Sequence, residues 1–140
     1  MDRWVLYAIL AMLFAGVTSA LAKLGLDGIS SELGMAVRTV FVFAFIMVFA
    51  AFTVPLTEFQ SLTSTHFRWL ALSALTTAVS WVFYYKAIST GKVATVAIID
   101  KGSFLVAVVM AWLVLGERLT LRTVMGSSLI LAGLIVVVRR

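Results

Sequence analysis

Cysteine is absent from this chain, and proline and histidine occur once each. Without cysteine there is no disulfide, no thiol chemistry and no thiolate metal site. His66 alone cannot build a multi-histidine metal centre. Charge is scarce as well: 12% of the 140 residues are charged, against roughly 25% in a soluble domain. That scarcity excludes an ordinary soluble fold. A disordered chain is excluded too, because disorder requires low hydrophobicity. There is no Ser/His/Asp set and no metal-ligand cluster, so neither an enzyme, a metal nor a cofactor is expected. The net charge of +5 is scattered through apolar sequence rather than gathered into a patch. No nucleic-acid partner is therefore expected.

What the chain has is hydrophobicity, in 63% of its residues. Five apolar segments each approach the ~20 residues that cross a bilayer. They run from Trp4 to Leu24, Leu33 to Val54, Trp69 to Ile88, Val93 to Leu115 and Leu121 to Val138. Pro55 stops the second, because proline cannot continue the helical hydrogen-bond ladder. Thr63, Ser64 or Thr65 can cap the third. The links Asp27–Glu32, Ser89–Lys92 and Gly116–Thr120 are short, so the helices they join are antiparallel neighbours. Leu56–Arg68 is the long link, and His66 within it reads as a solvated surface histidine. The expected fold is all-α: one polytopic membrane bundle of five spans over residues 1–140, with the lipid bilayer as its first partner. Ala20-Leu21-Ala22 resembles a signal-peptidase site, but Asp2 offsets Arg3 and the apolar run is long for a signal. The first segment is expected to stay as a span.

Five spans put the two ends on opposite sides. One side collects Arg3, Arg68, Arg118 and Arg122, and the other Lys92, Arg139 and Arg140. Four against three is too even for the positive-inside rule to set an orientation. Counting the embedded Lys23, Arg38, Lys86 and Lys101 with the second side would place that side in the cytoplasm. So weak a bias permits insertion in both orientations.

Asp100 and Lys101 stand together inside the fourth segment. A charge at the centre of a span costs about 2.5–3.5 kcal/mol, and each surrounding apolar residue returns only about 0.3–0.6 kcal/mol. The segment roughly breaks even, so the pair needs partners or a water-filled cavity. At ~1.5 Å rise per residue, Asp100 and Arg38 lie about 10 Å below the same surface, with Lys23 and Lys86 shallower. Four helices thus deliver charge to one leaflet. Successive helical residues point about 100° apart, so one member of the pair is expected to meet Arg38 or Lys86 and the other to face a cavity. Asp100, Lys101 and Arg38 are read as a substrate pathway. Lys23 and Lys86 read more simply as snorkelling anchors. In the third segment Trp81, Tyr84 and Tyr85 are neighbours by helical spacing, as are Ser80 and Tyr84. They suit the wall of a cavity for an organic substrate, or an interfacial belt. Ser103 joins the candidate pathway one turn past Asp100.

In lipid, helices associate through small residues. Gly126, Ser127 and Gly133 put such a surface on the fifth segment, where a second copy of the chain is expected to pack. Gly116 suits the left-handed residue that closes a helix, and Glu117 beside Arg118 reads as a local ion pair.

The order Ala22-Lys23-Leu24-Gly25, Val37-Arg38-Thr39, Ser80-Trp81 to Tyr85, Ala87-Ile88, Ile99-Asp100-Lys101, Ser103, Leu115-Gly116-Glu117-Arg118-Leu119-Thr120 and Gly126 to Gly133 resembles a single EamA domain. Such domains belong to the drug/metabolite transporter superfamily, and the resemblance covers nearly the whole chain. Typical members are similar to two five-helix units fused in opposite orientations, with ten helices around a central cavity. The resemblance implies secondary transport of a small metabolite or drug-like solute by alternating access, in a prokaryotic inner membrane. This chain has one unit, half of that fold. Inverted-repeat transporters place the site between the halves, so an antiparallel homodimer is expected, with a hetero-pair as competitor. The positive excess suits an anionic or zwitterionic substrate, and Asp100 is a candidate for proton coupling. The alternative is a non-transporting membrane subunit or scaffold, whose charges serve packing alone.

Overall fold

The protein's structure, a computed structural model, describes residues 3–139. Asp2 and Arg140, which enter the reading of charge, lie outside the described residues. Among those described, all regular structure is helical: α1 (Arg3–Gly25), α2 (Ser31–Thr53), α3 (Ser64–Thr90), α4 (Val93–Asp100), α5 (Ser103–Val114) and α6 (Leu121–Val138). A 3-10 turn at Leu56–Ser61 lies between α2 and α3.

Local chemistry sets the helix ends. The Ser30 hydroxyl accepts from the Leu33 N–H at 3.2 Å, and the Thr120 hydroxyl accepts from the Thr123 N–H at 3.2 Å. Each satisfies one of the donors left free at a helix start. The α3 start is reciprocal: the His66 N–H donates to the Thr63 hydroxyl, and the Thr63 N–H donates to His66 Nδ1. This is a capping box with histidine in place of the usual Glu or Gln. It corrects the loop reading of His66, and Arg68 likewise belongs to α3. At Gly116 φ is +67°, as expected of a helix-closing glycine. The Glu117 N–H beyond it bonds back to the Ala111 carbonyl at 3.1 Å.

Four stretches are long and apolar enough to cross a membrane: Arg3–Gly25, Ser31–Thr53, Val93–Val114 and Leu121–Val138. The expected third span, Trp69 to Ile88, is not among them. Its helix has the length, 27 residues or about 40 Å. Its hydropathy is diluted by Ser73, Thr76, Thr77, Ser80, Tyr84, Tyr85 and Lys86. The expected fourth span also differs, because it is two helices rather than one. The break falls at Lys101–Gly102. There the N–H groups of Gly102, Phe104 and Leu105 bond to the carbonyls of Ile99, Lys101 and Gly102. Bonding three residues back rather than four tightens the turn, and it passes over the carbonyls of Ile98 and Asp100.

The chain divides into two compact units, Leu21–Thr90 and the flanking stretches up to Ala20 and from Gly91. In the first, α2 packs on α3, and this unit holds Leu26, Tyr85 and Ile88, the buried residues among those described. In the second, α4 packs on α6, where Gly102 lies against Leu134. Most large apolar side chains are exposed, as the lipid-facing surface of a membrane protein requires.

Candidate functional site

The unit Leu21–Thr90 gathers three embedded cations, and each meets a different fate. Lys23 lies in the last turn of α1. Its Nζ donates to the Ile88 carbonyl at 2.6 Å and to the Ser89 carbonyl at 2.9 Å. Those carbonyls belong to the last turn of α3, where no helical N–H remains to take them and where the helix dipole favours a cation. The ammonium therefore does a capping job for another helix and ties the end of α1 to the end of α3. Lys86 pairs with Glu32 at 3.5 Å, both side chains well exposed. Such a pair contributes little to stability, about 0–1 kcal/mol in water.

Arg38 is the third. Its guanidinium carbon sits 4.5 Å from the centre of the Trp81 ring, a cation–π contact between α2 and α3. One turn along α3 the Tyr84 and Tyr85 rings meet edge-on, with centroids 6.3 Å apart. Tyr85 is 3% exposed. The Tyr84 hydroxyl is enclosed and has no hydrogen-bond partner among the described residues, which costs about 1–3 kcal/mol for a buried polar group. Trp81, Tyr84 and Tyr85 are thus at least half-buried, whereas Phe67, Trp69 and Phe83 of the same helix are exposed.

In the other unit, Lys101 Nζ lies 3.9 Å from Asp100 Oδ2. Asp100 is the last residue of α4 and Lys101 its C-cap, so both sit at the junction between the negative end of α4 and the positive start of α5. There the two helix-end dipoles act on each charge with opposite sign. Lys101 and Gly102 keep right-handed helical dihedrals, so the Asp100 and Lys101 side chains leave the backbone about 100° apart. The flexible lysine stem brings its ammonium to the neighbouring carboxylate.

Within the units, Asp100 pairs with Lys101, Lys86 with Glu32, and Arg38 lies over Trp81. Glu117 and Arg118 do not appear among the ion pairs of the described residues. Ser80 and Ser103 are exposed, and their hydroxyls form no hydrogen bond within the described chain. A Cβ added at Gly126 or Gly133 would meet nothing within 4 Å, and Ser127 beside them is half-buried. Sequence reasoning missed Glu32 as the partner of Lys86. The signal was present, since both residues lie near helix ends on one side.

The sequence profile of the EamA-like transporter family matches residues 2–139. A protein of Sinorhizobium sp, named as an uncharacterized transporter in the cobO 3' region, is 33% identical over 132 residues. That match covers 94% of each chain, so the two are of about the same length. No solved structure matches this chain.

Proposed function

The chain belongs to the EamA-like transporter family, and from that premise we propose that it is half of a secondary transporter. It moves a small organic solute across a prokaryotic inner membrane by alternating access, as a dimer. The observation that carries this reading is the Asp100–Lys101 pair at the break of a spanning segment. Discontinuous spanning helices are where secondary transporters build their solute and ion sites, and intramembrane charge marks a functional site by default. Each unit contributes candidate pathway residues: Asp100, Lys101 and the exposed Ser103 hydroxyl in one, and Arg38, Trp81, Tyr84, Tyr85 and the exposed Ser80 hydroxyl in the other. Lys23 and Lys86 serve helix ends instead.

With α3 counted as a span, the chain crosses five times and supplies one half of a ten-helix fold. An antiparallel second copy supplies the other half. Two observations support assembly. The Sinorhizobium relative is also of one-unit length and is named as a transporter. The Gly126–Gly133 face of α6 has open space above its glycines, where a second backbone can approach closely. The nearly balanced charge of the loops suits dual insertion.

The test is flux in proteoliposomes holding the purified chain. Benzenesulfonate and phenyltrimethylammonium serve as probes, because neither crosses lipid unaided. Carrier-dependent uptake of either probe, above protein-free liposomes, is the expected result. Uptake of neither, from an intact assembly, favours the scaffold reading. An imposed proton gradient that accelerates uptake assigns proton coupling.

A further inference from the structure

The geometry points to Arg38 and Trp81 as the recognition site for a monoanionic organic acid, a carboxylate carried on a flat apolar body. This rests on the transporter reading above and names its substrate class.

Two of the three embedded cations in the unit Leu21–Thr90 already have partners. Lys23 is committed to the carbonyls of Ile88 and Ser89, and Lys86 to Glu32. Among the described residues of its unit, Arg38 has neither a hydrogen bond nor a carboxylate. The other carboxylates there, Asp27 and Glu58, lie in the link before α2 and beyond its far end. Yet Arg38 is half-buried and about 10 Å along α2 from its start, where an unmatched charge is expensive. The face of Trp81 offsets part of that cost.

The guanidinium carbon lies over the Trp81 ring, and the guanidinium N–H donors have no hydrogen-bond partner among the described residues of the unit. Arginine has five such donors in a fixed planar fork. The acceptor that fits the fork is a planar carboxylate, held by two parallel N–H···O bonds. One unmatched positive charge neutralises one negative charge. A dianion would bring an uncompensated charge to the same depth, so a monoanion is the match. The ligand's body meets an aromatic wall, since Trp81 is followed one turn on by Tyr84 and Tyr85. Aromatic side chains of this kind prefer flat apolar partners. The unpartnered Tyr84 hydroxyl marks the same wall as incompletely satisfied without a ligand.

The experiment is equilibrium binding to the full chain in lipid nanodiscs, with four probes built on one ring: benzoate, benzamide, phthalate and phenyltrimethylammonium. Benzoate is expected to bind at least tenfold more tightly than each of the others. Arg38→Lys keeps the charge but loses the fork and the stacking, and is expected to weaken benzoate at least tenfold while leaving benzamide unchanged. Binding by the wild-type chain alone decides the matter if variants fold poorly. Equal or absent binding of benzoate and benzamide overturns the inference, as does an Arg38→Lys chain that binds benzoate like the wild type. Tighter phthalate overturns the monoanion match. The flux measurement keeps the two claims apart. Uptake of phenyltrimethylammonium without benzoate preference sinks this inference and leaves transport standing. Benzoate preference without flux of either flux probe upholds the site and sinks transport.

Discussion

At the scale of single residues, Lys23 and Lys86 look alike in sequence, each a lysine near the end of a span. Structurally they differ. Lys23 makes two short bonds to the closing carbonyls of α3, whereas Lys86 makes one exposed ion pair. Hydrogen bonding by a charged group contributes about 1.5–3 kcal/mol, and an exposed pair about 0–1 kcal/mol. Lys23→Met is therefore expected to lower unfolding stability by about 1.5–3 kcal/mol, several times the loss from Lys86→Met, in denaturant titration of the purified protein. Equal losses would show that the Lys23 bonds contribute no more than a surface pair. Sequence depth placed both lysines near helix ends. It did not reveal their partners, because a carbonyl acceptor leaves no trace in residue identity. Arg38 and Trp81 were both legible as candidates, and their contact was not, because the pairing depends on how α2 rotates against α3.

At the scale of elements, the break between α4 and α5 is the main departure from what the sequence predicts. The apolar pattern from Val93 to Val114 is interrupted by Thr95, the charged pair, Gly102 and Ser103, with no proline to signal a stop. The turn is closely packed: a Cβ at Gly102 would come 2.9 Å from the Ile99 carbonyl oxygen and 3.1 Å from a methyl of Leu134. The glycine lets the tightened turn and α6 approach each other. Gly102→Ala is expected to destabilise by about 1–3 kcal/mol, the usual cost of overpacking. Leu134→Ala in the same chain should recover part of that, since it removes the methyl contact and leaves the carbonyl one. A double-mutant cycle measures the coupling, and strict additivity would show that Gly102 and Leu134 do not press on each other. The helix caps at Ser30 and Thr120 follow from ordinary sequence signals. The Thr63–His66 box escaped because histidine is an uncommon partner in that motif.

At the scale of the molecule, the α-helical class and the membrane were legible from composition alone, because a bilayer admits few alternatives. The number of crossings was less so, since α3 carries polar and aromatic residues that lower its hydropathy, among them the candidate site residues Ser80, Tyr84 and Tyr85. Assembly is tested through α6. Gly126→Leu or Gly133→Leu is expected to reduce crosslinked dimer severalfold in detergent, because bulk at a small-residue face blocks close approach. Unchanged crosslinking would move the interface elsewhere.

The central claim is that Asp100, Lys101 and Arg38 serve passage rather than packing. Asp100→Asn in proteoliposomes, with flux of benzenesulfonate and phenyltrimethylammonium and dimer content measured on the same preparation, tests it most directly. The account predicts intact dimer with flux reduced at least tenfold. Full gradient-driven flux in the variant, or loss of the dimer along with the flux, would contradict it.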